Sequence, residues 1–145
     1  MPEVIKVYTD GAARGNPGES ASGFMVYDSA GAVIESRAIY NGRKTNNYAE
    51  YNAVIEALEW CKANLRAPAA TEIMLFSDSQ LVVRQLNGRY KVKADGIAEL
   101  HRKAATLAKG FRSVTFTNLP RENTNIRKVD RMLNDLLDGM DKEKG

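Results

Sequence analysis

The chain has 145 residues, of which 43% are hydrophobic and 27% charged, with a net charge of +3; this is the make-up of a soluble globular domain with room for a real core. No apolar stretch approaches membrane-spanning length, Met1-Pro2-Glu3-Val4 runs straight into a predicted strand, so that no signal peptide is expected, and the single Cys61 excludes an internal disulfide and a multi-cysteine zinc site. A cytoplasmic, reducing setting and a monomer are the expectations, and so small a net charge does not by itself mark a nucleic-acid binder, although residues 81–112 carry +6 and residues 130–145 carry −2.

Residues 4–9 form the first predicted strand, which Asp10-Gly11 closes. Residues 11–20 are rich in glycine, asparagine and proline and read as a loop. Two more strands are predicted at 21–28 and 32–40, with Ser29-Ala30-Gly31 as the hairpin turn between them. From 46 to 65 the period becomes helical: Val54, Ala57, Leu58, Cys61 and Leu65 form one stripe, and Cys61 reads as core packing. Four residues back from Val54 lies Glu50, and Thr45-Asn46-Asn47 supplies capping candidates. Pro68 closes the helical region, and 72–77 is a short apolar strand that ends at Asp78. A helix from Ser79 to Leu86 is stopped by Asn87-Gly88. The next helix, 96–109, carries His101, which reads as a surface residue. Residues 113–118 alternate as a strand, and 126–140 form the last helix, with Ile126, Asp130, Leu133, Leu137 and Met140 on its stripe.

The order is therefore β-β-β-α-β-α-α-β-α. Hairpin-linked leading strands imply an antiparallel part, and later strands separated by helices imply a parallel part. A mixed α/β sheet with helices on its faces satisfies both. No linker, repeat or low-complexity tract divides the chain, so residues 1–145 read as a single domain.

Four acids stand where structure has little use for a charge. Asp10 and Asp78 end strands, the place where open α/β sheets build sites. Glu50 and Asp130 fall on apolar stripes, where burying a lone charge is costly. Gathered carboxylates repel one another and call for a hard, oxygen-seeking cation, for which Mg²⁺ is the natural choice. Two such ions about 3.5–4 Å apart can activate a water and stabilise a leaving oxygen in phosphodiester cleavage. No nucleophilic triad is plausible around the lone His101, and no phosphate-binding Gly-x-x-x-x-Gly-Lys loop is present.

The segments around these acids carry a family resemblance. Tyr8-Thr9-Asp10-Gly11, Gly15-Asn16-Pro17-Gly18, Thr45-Asn46-Asn47-Tyr48-Ala49-Glu50 and Ser77-Asp78-Ser79-Gln80-Leu81-Val82 occur in the order of a type 1 ribonuclease H (ribonuclease HI). The resemblance covers nearly the whole chain. It implies a ribonuclease H-like fold, α/β with a five-stranded mixed sheet flanked by helices. It also implies dependence on Mg²⁺ or Mn²⁺, two ions with substrate bound, and cleavage of the RNA strand of RNA–DNA hybrids to 5′-phosphate and 3′-hydroxyl ends. Carried over by position, it makes Asp10, Glu50, Asp78 and Asp130 catalytic metal ligands, with the Gly11 carbonyl close by. Asn16, Asn46 and Gln80 match residues that read the minor groove and the 2′-hydroxyls, where amides both donate and accept. Arg43 and Thr45 match a DNA-phosphate pocket, and Asn47, Ser79 and Arg121 fall among the substrate contacts.

Two departures from the family pattern stand out. Position 126 is Ile where relatives often carry asparagine, and the loop Pro120-Arg121-Glu122-Asn123 lacks the histidine to which the family gives a part in proton transfer or product departure, so that role is unassigned, with Arg121 and Glu122 as the candidates to share it. Residues 87–96 lack the basic helix and the tryptophan-bearing handle of many bacterial relatives; the one tryptophan, Trp60, is on the long helix. The chain therefore resembles a compact form without the basic protrusion. Arg89, Lys91 and Lys93 are expected to give a weaker, strongly salt-dependent grip. Two other classes stay open on the sequence: a hybrid-binding module without catalysis, motivated by the altered loop, and a DNA-directed nuclease of the same fold.

Overall fold

In the computed structural model, residues 3–88, 92 and 95–144 are described. The strands are β1 (Glu3–Gly15), β2 (Gly18–Tyr27), β3 (Val33–Lys44), β4 (Thr71–Ser77) and β5 (Ser113–Asn118). The α-helices are α1 (Asn46–Asn64), α2 (Gln80–Leu86), α3 (Asp95–Ala108) and α4 (Thr124–Lys144), with a 3₁₀ turn at Pro68–Ala70. The sheet order is β3-β2-β1-β4-β5. The β1–β2 and β2–β3 pairs are antiparallel, and β1–β4 and β4–β5 are parallel. The mixed five-stranded sheet expected from the sequence is present.

Strand alternation divides the core between the two faces. Ile5, Val7, Phe24, Val26, Ile73 and Leu75 point to one face and pack with Tyr51, Val54, Leu58 and Cys61 of α1 and Ala104 of α3. Tyr8 and Met25 point to the other and meet Ile126 and Val129 of α4. Burying each large apolar side chain contributes about 1.5–3 kcal/mol, so α1 and α4 are clamped to opposite faces of β1. Cys61 is a buried free thiol, as its stripe implied.

Where element boundaries differ, tertiary pairing overrides local composition. Residues 11–20 are not a loop. β1 runs five residues past Asp10, and β2 begins at Gly18, with Gly15 paired to Gly18 and Ala12 to Ala21. The turn itself is Asn16-Pro17, joined by a cis peptide bond. Gly15 has φ +105°, and a Cβ on Gly18 would fall 2.1 Å from the Arg14 carbonyl oxygen. Both glycines are therefore demanded by backbone conformation and close approach. β3 and α4 are likewise longer than the patterns predicted.

His101 is half-buried rather than a surface residue. Its Nε2 lies 3.0 Å from the Gln85 carbonyl oxygen, and its ring meets Tyr51 edge-on at 6.4 Å. The turn at 29–31 is as read: Gly31 has φ +87°, and Asp28 Oδ1 accepts from the backbone N–H groups of Ala30 and Ala32.

Candidate active site

The register of the parallel pair sets the site. β1 and β4 run in step to Thr9 opposite Ser77, and β4 stops there. Asp10 and Asp78, the next residue on each chain, thus emerge side by side. The end of β4 is fixed by its neighbours. The Ser77 carbonyl accepts from Asn118 Nδ2 at 3.1 Å and from the Leu119 N–H at 2.9 Å, and Ser77 Oγ accepts from the Ser79 N–H at 3.0 Å. Ser79 in turn caps α2, its Oγ accepting from the Val82 N–H at 3.3 Å.

Glu50 arrives from above on α1. Thr45 is the N-cap, accepting from the Tyr48 N–H at 3.1 Å. The helix comes so close to β1 that a Cβ on Gly11 would fall 2.4 Å from both the Ala49 carbonyl carbon and the Glu50 nitrogen. Only glycine permits that backbone-to-backbone contact. A hydrogen-bonded chain locks the same turn. Asn52 Nδ2 donates to Asn41 Oδ1 (2.9 Å), Asn41 Nδ2 to Ser22 Oγ (2.8 Å), and Ser22 Oγ to the Ala49 carbonyl (2.6 Å). Nothing in the sequence pattern points to this chain. Ser22 falls inside the predicted strand 21–28, and Asn41 just past the predicted strand 32–40.

One carboxylate oxygen from each of Asp10, Glu50 and Asp78 lies within 4.8 Å of the others. Asp10 is only 4% exposed and Glu50 9%. Burial first, then the charges of Asp78 and Asp130, push Asp10 up from 3.8 to about 8, against the pull of the Gly11 N–H at 3.0 Å. Burial first, then the charges of Asp10 and Asp78, also push Glu50 well above the usual carboxylate range. Among the described residues, Glu50 Oε1 is buried without a hydrogen-bond partner. Such an orphaned acceptor in an all-oxygen donor set fits a hard divalent cation, which would also relieve the mutual repulsion.

A cavity of about 490 Å³ opens over these acids and is lined as well by Asn46, Ser79, Arg121 and Asp130. Arg121 Nε reaches to 3.9 Å from Asp78 Oδ2 and is otherwise in solvent. Asp130 is not on the buried stripe of α4. Val129 takes that place with Ile126, Leu133 and Leu137, and Asp130 is exposed at the cavity rim. The helical period there steps by three before it steps by four, so the acid points sideways into the cavity.

The other expected residues divide between two places. Asn16 and Asn46 tie the β1–β2 turn to α1: Asn16 Oδ1 accepts from the Asn46 N–H and Asn46 Oδ1 from the Ala13 N–H, both at 3.1 Å. Asn47 and Gln80 are exposed in the first turns of α1 and α2. Arg43 and Thr45 lie instead in a separate groove of about 700 Å³ with Pro17, Tyr48 and Lys103. Arg89, Lys91 and Lys93 lie outside the described residues.

A family model described as reverse transcriptase-like matches residues 8–128. The solved RNase H1 of the archaeon Halobacterium salinarum is 34% identical and superposes with a TM-score of 0.85, covering 94% of this chain and 98% of that one. The chain belongs to the ribonuclease H family. The ribonuclease HI sequence of that archaeon is 37% identical, over 92% of this chain and 64% of the relative. A bifunctional protein of Mycobacterium tuberculosis is 36% identical over 92% of this chain. The chain spans about a third (35%) of that protein's length, and its solved N-terminal RNase H domain gives a TM-score of 0.88 at 33% identity, with 99% of each chain covered. LC11-RNase H1, solved in complex with an RNA/DNA hybrid, is 37% identical, with a TM-score of 0.83 over 90% of this chain and 94% of that one. The three gathered acids of this ribonuclease H stand where the parallel pairing of β1 with β4 ends and on the helix above it.

Proposed function

We propose that this chain, as a single domain over residues 1–145, hydrolyses the RNA strand of RNA–DNA hybrids. In this reading Asp10, Glu50, Asp78 and the rim acid Asp130 hold two Mg²⁺ ions, which Mn²⁺ replaces, and the products carry 5′-phosphate and 3′-hydroxyl ends. The observation that carries it is the cluster of three carboxylates with the Glu50 acceptor buried and unsatisfied. Bound divalent ions supply there the charge that acidifies a water and stabilises a leaving oxygen.

The protein's own residues do the rest. Gly11 and the Ser22–Asn41–Asn52 chain hold Glu50 against β1, so the donors need little reorganisation when charge develops. The Arg121 guanidinium, beside Asp78, faces the incoming phosphate and takes part of the role left by the missing histidine. Asn46 and Ser79 line the cavity. Asn16, bonded to the Asn46 N–H, and Asn47 and Gln80, in the first turns of α1 and α2, extend that polar edge toward the RNA strand, where the amides and hydroxyl meet 2′-hydroxyls. The groove at Arg43 and Thr45 takes a phosphate of the DNA strand. Arg89 and Lys91 add electrostatic grip. The chain works as a monomer, and in the cytoplasm, a setting that the free thiol of Cys61 fits. No described helix is long and apolar enough to cross a membrane.

The deciding experiment incubates labelled RNA–DNA, RNA–RNA and DNA–DNA duplexes with Mg²⁺ or Mn²⁺. Internal cuts confined to the RNA strand of the hybrid, with 5′-phosphate ends, are expected, and EDTA abolishes them. Binding without cleavage, or cleavage of DNA–DNA, overturns the proposal.

A further inference from the structure

The charges of α4 run against its own dipole. Its first two turns, residues 124–131, carry Arg127, Lys128 and Arg131 against Asp130, a net +2, while residues 132–144 carry a net −2. A helix is stabilised by anions at its N-terminal end and cations at its C-terminal end. Arg127 and Arg131, four apart, also repel each other. Neither term favours this order, so the fold itself gives no reason for it.

Ion pairing does not account for it either. Among the described residues, Arg127, Lys128 and Arg131 stand within 4.0 Å of no carboxylate. All three are exposed. With Thr124 they line one shallow groove of about 260 Å³. The groove is also close to the chemistry. Asp130, which faces the carboxylate cavity, lies between Lys128 and Arg131 on the same helix. At about 1.5 Å of rise per residue, the basic side chains flank it within a turn. Arg121, in the loop before α4, continues the positive surface to the cavity itself.

We infer that the Arg127–Lys128–Arg131 face of α4 is a second electrostatic grip on the substrate duplex, taking phosphates of the strand that leaves the carboxylate cavity. The inference rests on the hybrid-hydrolysis reading and extends it to a surface on the opposite side of the sheet from α1 and α3. It fits a polyanion whose charges repeat along a backbone. Phosphate-binding side chains of this kind position a duplex and carry no sequence preference. They also give the compact chain a grip on a helix it already has.

The test compares the triple variant Arg127→Gln/Lys128→Gln/Arg131→Gln with Lys62→Gln/Arg66→Gln/Lys109→Gln. The control removes the same charge from exposed positions around the far end of α1 and the end of α3. Each phosphate that is no longer neutralised by a basic side chain flattens the dependence of log affinity on log salt by about 0.9. The α4 variant is therefore expected to reduce that slope by about 2–3 and to raise KM for a labelled RNA–DNA hybrid roughly tenfold at moderate salt. Its kcat and melting temperature should hold, since the removed charges oppose the helix dipole. Restoring charge with Arg127→Lys/Arg131→Lys should restore the slope. A slope and KM equal to wild type, or changed equally in the control, overturns the inference. So does a loss of kcat at saturating hybrid, or a lower melting temperature with an unchanged slope. Slopes are also measured in the Asp10→Asn background, so that they are read from binding alone. A wild-type chain that fails to cleave hybrids sinks the proposed function and leaves this measurement readable.

Discussion

Helices α1 and α4 each carry one acid to the same cavity, and they hold it in opposite ways. Glu50 on α1 is nearly buried. Its turn is pressed backbone-to-backbone on Gly11 and tied by Ser22, Asn41 and Asn52 to two strands. Asp130 on α4 is exposed, and the ties nearest to it are on the surface. Arg14 of β1 reaches across to Asp138 at 2.6 Å and to the Asn134 side-chain oxygen at 3.2 Å, while Asn134 Nδ2 bonds back to the Asp130 carbonyl. The buried acid is held by steric necessity and the rim acid by solvated polar contacts. The first arrangement suits a fixed ligand and the second an adjustable one.

Breaking the buried side should have the largest effect. Asp10→Asn and Glu50→Gln are each expected to lower hybrid cleavage by about 10³-fold, the loss of about 4 kcal/mol of charge stabilisation. Hybrid binding by gel shift should survive in both. Cleavage within tenfold of wild type in either variant would remove the three-carboxylate cluster from the chemistry. Gly11→Ala attacks the same side through the backbone. The new Cβ has no room against Ala49 and Glu50, and the chain should lose about 1–3 kcal/mol or more of stability, measured by urea unfolding.

The buried side also titrates. Unfolded, Asp10 releases its proton near 3.8, while in the folded chain it holds the proton to about 8. Between these values the native state binds more protons, so stability is highest in acid and falls as pH rises, levelling off above about 8. Glu50 adds to the same slope. In EDTA the melting temperature is expected to drop from pH 5 to pH 9, and Mg²⁺ should restore most of it at the alkaline end. Asp10→Asn should flatten the drop. A melting temperature that climbs with pH, alike in wild type and variant, contradicts this account.

The same contrast explains what was legible in the sequence. Asp78 and Glu50 could be placed because a strand end and a long stripe are local patterns; Asp10 was expected to close a strand that runs on to Gly15, and it meets Asp78 because the parallel pairing with β4 stops at Thr9 and Ser77. The residues that hold Glu50 are far apart in sequence and have innocuous types, so Ser22 and Asn41 gave no signal. The β1–β2 extension was hidden for a related reason. Gly, Asn and Pro look like a loop until Ala12 and Ala13 find Ala21 and Ser20 across the ladder. Asp130 was brought to the site by a faulty step, the assumption that it shared the buried stripe. The stripe passes through Val129, and the acid reaches the cavity because it does not share it.

A smaller loss is therefore expected on the α4 side. Asp130→Asn should reduce Mg²⁺-dependent cleavage by about tenfold, about 1.4 kcal/mol, and Mn²⁺ should recover most of it, since the remaining buried donors are undisturbed. A loss as large as that of Glu50→Gln, unrelieved by Mn²⁺, would make the two helices equivalent and end the distinction.

The smallest effect belongs to the clamp between β1 and α4. The Arg14 and Asp138 side chains are 33% and 59% exposed, so solvent screens their attraction. Double-mutant cycles on such pairs give about 0.2–1 kcal/mol, and the cycle Arg14→Ala, Asp138→Ala and both together should fall in that range by urea unfolding. Because the pair steadies the helix that carries Asp130, the same cycle read by cleavage rate should show coupling when Asp130 is present and lose it in the Asp130→Asn background. About 1 M salt should erase the stability coupling. A coupling that persists at that salt, or a kinetic effect of Arg14→Ala that is unchanged without Asp130, would mean that Arg14 touches the duplex directly and that the rim acid is held by α4 packing alone.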